Sequence, residues 1–206
     1  IECCELHPID DPGCPKNREF CEDVRAWKAI CDNVWVWNYN TNFSYYDLPF
    51  PNLSVIGPNL RFFRDNHARG VFMQANGNGN AGEFCDLRNY VLSRSLWDPS
   101  LDSNALVEEF CRLHYQEAAP VLLEYIQFVR DNAEQRQCHP NCGAAPVELG
   151  LTNEVAFKAM ALFDQALAAA RSDAVRARVE KASIPAYRTL ILVNGYPWRV
   201  ENGICR

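Results

Sequence analysis

The chain has no apolar run near the roughly 20 residues that a helix needs to cross a bilayer. Its longest such stretch, around Ile191 to Val193, is far shorter, so no membrane span is expected. No segment reads as a signal peptide. A basic run is missing too. The 20 Lys and Arg are dispersed among 26 Asp and Glu, for a net charge of -6, and nothing is arranged to gather the phosphates of a nucleic acid. Repeats and low-complexity segments are absent. Although His139 lies between two cysteines in the segment CHPNC, residues 138–142, no second Cys/His pair follows at zinc spacing. A disulfide is the better reading of that segment, and neither a metal nor any other cofactor is expected.

What is present suits a globular protein. Of the 206 residues, 48% are hydrophobic and 22% charged, enough to bury a real core. Ten cysteines are many for a reducing compartment. Cys14, Cys138, Cys142 and Cys205 sit beside Pro, Gly or Asn in loops, where disulfides form in secreted or cell-surface proteins, the expected location. Cys85 and Cys111 fall in helical patterns and read as small buried residues. Asn42-Phe43-Ser44 and Asn52-Leu53-Ser54 match the N-glycosylation pattern, a weak signal in a chain this rich in asparagine.

The first half alternates strands with helices. Ile1 to Leu6 reads as a strand, followed by a helix from about Arg18 to Cys31 with Phe20, Val24 and Trp27 on one face. Val34 to Tyr39, dense in β-branched and aromatic residues, is the second strand. A helix from about Pro58 follows, with Leu60, Phe63 and His67 turned inward; Gly70 to Gln74 is the third strand and Ala81 to Ser95 the third helix. Such alternation predicts a parallel sheet covered by its crossovers. A complete (β/α)₈ barrel takes about 250 residues, so three units predict the C-terminal part of a TIM-type barrel. From Leu96 onward only helices are expected: one capped by Asp102 or Ser103, one from about Glu117, one capped by Thr152, and one from Asp173 that Pro185 kinks or interrupts. The α/β chain thus divides into barrel units over residues 1–98 and a helical region over 99–206.

In such a barrel, ligand groups come from the carboxyl ends of strands. The first end offers Glu5 and His7. The second offers Trp37, Asn38, Tyr39, Asn40 and Asn42, with Tyr45 and Tyr46; the third offers Gln74, Asn76, Asn78 and Asn80. Rings next to amides suit a sugar, whose C–H face stacks on Trp or Tyr while its hydroxyl and acetamido groups hydrogen-bond. Trp37 and Tyr39, two apart, share one face of their strand. Filling between strand and helix is the competing role for either ring. Glycosidases need two carboxylates, and Glu5 is the one carboxylate near a strand end.

Three stretches carry a resemblance: HPIDDPGCPKNREFCEDVRAW, VWVWNYNTNFSYYDLPFPNLSVIGPNLRFFRDNHARGVFMQ, and GEFCDLRNYVLSRSLWDPSLDSNALVEEFCRLHY. With its W-x-Y strand, N-F loop and L-W-D-P turn, the chain resembles the bacterial domain of unknown function 4838, which is similar to glycoside hydrolase family 163. The resemblance implies a glycoside-hydrolase-type barrel followed by helices, acting on N-acetylglucosamine linkages with help from the substrate's acetamido group. It also implies that Trp37, Tyr39, Asn42 and Gln74 line the sugar pocket and that the catalytic carboxylates lie upstream of Ile1. The expected partners are therefore a glycan and the upstream half of the same barrel, with Glu5 and His7 as further sugar contacts. The alternative is a catalytically inactive barrel, serving as a structural or glycan-binding component of an extracellular assembly. Asn38, where the family pattern has Asp, fits that alternative.

Overall fold

The computed structural model describes residues 3–75 and 82–194, together with the backbone of a short antiparallel pair, Val200–Glu201 with Ile204–Cys205. Asn76, Asn78 and Asn80 and the side chain of Cys205 lie outside the described residues. The architecture is mixed α/β and mostly helical. Helix α1 (Arg18–Ile30) leads to strand β1 (Val34–Tyr39); α2 (Ile56–Asp65) then crosses to β2 (Ala68–Gln74). The strands pair in parallel, with Val36 opposite Val71, Trp37 opposite Phe72 and Tyr39 opposite Gln74. Five α-helices follow among the described residues: α3 (Cys85–Trp97), α4 (Ser103–His114), α5 (Ala119–Gln135), α6 (Asn153–Ala169) and α7 (Asp173–Asn194).

Side-chain chemistry explains several boundaries. The Asp102 carboxylate accepts from the Asn104 amide at 3.1 Å, and the Thr152 hydroxyl accepts from the Val155 amide at 3.3 Å, so both cap their helices. Pro120 suits the first turn of α5, where an N–H has no intrahelical partner. Pro185 does not interrupt α7, which runs through it to Asn194. His67 also differs from expectation. The helix stops at Asp65, and His67 adopts a left-handed φ of 64° and is exposed instead of turning inward.

Two parallel strands are described where three were expected. Residues 3–6 are buried on both sides, which resembles a central strand, yet they form an irregular stretch that leads into a bend. Their backbone is satisfied elsewhere: the Cys4 amide donates to Asn17 Oδ1 at 2.6 Å and the Glu5 amide to the Pro140 carbonyl at 2.8 Å. That leaves no sheet ladder to form. One face of β1 and β2 packs Val36 against Cys21 and Val24 of α1 and Phe62 and Phe63 of α2. The main core joins Leu60, Leu87 and Val91 to Leu106, Tyr125, Phe163 and Val179, drawing on both sides of residue 98. Cys111 is wholly inside it. Among the described residues no disulfide forms; Cys14 Sγ faces the His139 ring instead of another sulfur at bonding distance.

Candidate functional site

The other face of the two strands is open. Trp35, Trp37 and Phe72 are exposed there, Trp37 at 59%, because side chains two apart share a face and the helices cover only the opposite one. Trp37 is nevertheless held. Its indole N–H donates to Gln74 Oε1 at 2.6 Å, and its ring meets Phe72 edge-on at 4.8 Å. Both contacts follow from register, since Phe72 is the direct partner of Trp37 and Gln74 lies diagonally beyond it. At the same strand ends, Tyr39 meets Phe43 at 5.3 Å, and Phe43 meets Tyr46 at 5.7 Å. The result is a ledge of rings with an amide beside the Trp37 indole.

A groove of about 790 Å³ runs between α1 and β1, lined by Phe20, Val24, Trp27, Trp35 and Trp37 among others. Among the described residues β1 pairs only with β2, so its other edge, along this groove, carries backbone groups without a strand partner. Trp35 lies directly over Gly70, where any Cβ would collide with the indole. Only glycine at that position leaves room for the ring.

The other residues expected at a sugar site have different surroundings. Asn42 is 1% exposed. Its amide nitrogen donates to the Ala144 carbonyl at 2.7 Å, and its oxygen accepts from the Ser44 and Tyr45 amides at 3.0 and 3.1 Å. It therefore ties the loop after β1 to the α5–α6 loop. Asn40 and Asn38 are buried; Asn40 Nδ2 reaches the Met73 sulfur at 3.8 Å, and Asn38 Nδ2 donates to the Tyr39 carbonyl at 3.3 Å. Glu5 accepts from Asn52 Nδ2 at 3.3 Å, and burial raises its carboxyl to about 8, so it is largely protonated near neutral pH. Asn52 Oδ1 accepts in turn from Arg88, which also donates to Glu83 and, at 3.2 Å, to the Phe50 carbonyl. Arg88 is 2% exposed. Burial raises the Glu83 carboxyl, with the Arg88 charge acting against that shift. This network had no clear sequence signal, because an arginine on a helix ordinarily faces water.

His7 lies apart from the ledge. With Cys4, Cys14 and His139 it forms a cluster whose potential ligand atoms all lie within 4.8 Å of one another. Burial, with His139 beside it, lowers the His7 imidazole below its ordinary value. The sequence did contain a signal here. Cys4 and His7 are separated by two residues, as in metal-binding turns, but the complementary pair is divided between Cys14 and His139, 125 positions apart. Local spacing does not detect such a pair.

No curated protein and no solved structure matches the chain. A family match covers residues 1–127, from the first turns through both strands and into α5. Because that span exceeds half of the 206 residues, the chain belongs to the family described as Domain of unknown function (DUF4838).

Proposed function

We propose that the chain is part of a glycoside-hydrolase-like barrel in which the strand-end ledge of Trp37, Tyr39 and Gln74 binds an N-acetylglucosamine-containing glycan. The observation that carries this reading is an exposed indole pinned by a neighbouring amide. The Trp37 N–H is spent on Gln74 Oε1, which leaves the ring face for the C–H side of a pyranose and the Gln74 amide nitrogen for a hydroxyl or acetamido oxygen. An oriented ring loses little rotamer freedom on binding, which favours affinity.

The open β1 edge and its groove support the barrel component. The unpaired N–H and C=O groups of an open edge are a template for another strand, and a further strand-helix unit of the same barrel would fill the space between α1 and β1. The ledge would then lie on the barrel's carboxyl-end rim. This reading assigns binding, and not bond cleavage, to the residues described. The first carboxylates after each strand are engaged elsewhere: Asp47 with Arg188 at 2.9 Å, and Glu83 with Arg88. The pair that glycosidic cleavage requires would come from other strands of the barrel. In an inactive relative that pair would be missing while the ledge still bound glycan.

Calorimetric titration of the chain with N,N'-diacetylchitobiose tests the reading, with cellobiose as the ligand lacking acetamido groups. Saturable binding of chitobiose, weaker for cellobiose and lost in Trp37→Ala, is expected, with no release of monosaccharide. Equal indifference to both sugars, or turnover by these 206 residues, would refute it.

A further inference from the structure

We propose that Cys4, His7, Cys14 and His139 form a structural zinc site that joins the non-helical segment before α1 to the loop between α5 and α6. Their donor atoms converge: Cys4 Sγ lies 3.3 Å from His7 Nδ1, and Cys14 Sγ lies 3.5 Å from His139 Nδ1. Around a tetrahedral zinc, with Zn–S of about 2.3 Å and Zn–N of about 2.0–2.1 Å, neighbouring sulfur and nitrogen ligands are separated by about 3.6 Å. The observed pairs fall close to that edge length. All four atoms lie within 4.8 Å of one another, so one ion can reach the whole set. Two thiolates and two imidazoles favour zinc over calcium or magnesium, which prefer oxygen.

The surroundings fit a closed site. Cys4 and Cys14 are 2% and 1% exposed, packed with Leu6 and Ala133, and two thiolates neutralise a dication where an unbalanced charge would be costly. The two imidazole rings lie 5.1 Å apart and tilted by 44°, converging from different chain segments. A backbone clamp holds the first two ligands. Asn17 is fully buried; its oxygen accepts from the Cys4 amide at 2.6 Å, and its nitrogen lies 3.1 Å from each of the Cys4, His7 and Pro8 carbonyls. Outer-shell bonds of this kind fix ligand direction. The hydrogen bond from the Glu5 amide to the Pro140 carbonyl brings the His139 loop alongside.

Two other chemistries could use the same atoms. Thiol-to-imidazole hydrogen bonds would satisfy each pair separately but give no reason for the two pairs to meet. A Cys4–Cys14 disulfide would account for the sulfurs and leave two imidazoles directed at the same point without a shared partner. One tetrahedral ion accounts for all four groups. Its role follows from where they lie: Cys4, His7 and Cys14 in the irregular segment before α1, and His139 between α5 and α6. Metal binding there would contribute directly to folding of segments that have no helix or strand of their own.

The test uses the whole chain, purified under reducing conditions without chelator, and elemental analysis followed by exchange to Co²⁺. About one zinc per chain is expected, with the visible d–d bands of tetrahedral cobalt and a thiolate charge-transfer band. Cys14→Ser and His139→Ala should each lose at least tenfold in metal affinity, while Cys31→Ser, outside the cluster, keeps it. If those variants fold poorly, the unsubstituted chain still decides: chelation should expose Cys4 and Cys14 to alkylation and lower the melting temperature. Failure of the reduced chain to take up zinc or cobalt, an octahedral cobalt spectrum, or a Cys4–Cys14 disulfide in the unreduced peptide map would overturn the proposal.

Discussion

Trp37 and Gln74 come from different strands, and the hydrogen bond between them, 2.6 Å from indole nitrogen to amide oxygen, fixes an aromatic ring that is otherwise open to solvent. Replacing Gln74 with Ala should therefore leave the fold intact and free the ring. A net hydrogen bond contributes about 1 kcal/mol, so glycan affinity is expected to fall roughly five- to tenfold. Calorimetry and thermal unfolding of Gln74→Ala check the two halves of this statement. A loss of stability with unchanged affinity would contradict it.

Asn17 is a second point of leverage. Asn17→Ala leaves the Cys4 amide without its acceptor and the Cys4, His7 and Pro8 carbonyls without their shared donor. Unsatisfied buried groups cost about 1–3 kcal/mol each, and a clear fall in the denaturation midpoint is expected. Asn17→Asp should rescue little, since its second oxygen would face those carbonyls in place of a donor.

Arg88 and Arg94 lie on the same helix and should behave differently. Arg88→Met leaves the Glu83 carboxylate and the Asn52 amide buried without their cation; breaking such a pair costs about 3–5 kcal/mol. Arg94 meets Glu109 at 3.4 Å near the surface, and Arg94→Met should cost at most about 1 kcal/mol. Urea unfolding of both variants gives the comparison.

The fold was legible where one residue type carried the signal. The β-branched and aromatic run at Val34 to Tyr39 became β1, and Thr152 and Asp102 cap the helices that they were expected to start. The segment before α1 was misread because burial on both sides imitates a central strand; the groups that satisfy its backbone, Asn17 and Pro140, are remote in sequence. Likewise, the aromatic and amide density near Tyr39 was visible, but not its division into uses. Trp37 stays at the surface, whereas Asn42 and Asn52 are drawn into ties to Ala144 and Glu5. Such partners, 102 and 47 positions away, leave no local pattern.

His114 predicts a pH dependence. Burial, with Arg178 nearby, holds its imidazole below the ordinary value, and the ring stacks on Phe110 at 4.7 Å. The folded state therefore binds this proton less readily than the unfolded state. The associated stability is present above the unfolded value of about 6.5 and is lost as pH falls through it towards the lower folded value. Unfolding free energies between pH 7.5 and 5 should fall less steeply in His114→Gln than in the unsubstituted chain. Parallel curves would show that His114 carries none of that linkage.

The most direct measurement is a two-dimensional ¹H–¹⁵N spectrum of the five tryptophan indoles during titration with N,N'-diacetylchitobiose, with the Trp37 signal assigned by Trp37→Phe. The glycan reading predicts a saturable shift of the Trp37 indole N–H while that of Trp97, exposed on α3, stays in place. An unmoved Trp37 signal at saturating sugar, or equal shifts at both rings, would contradict it.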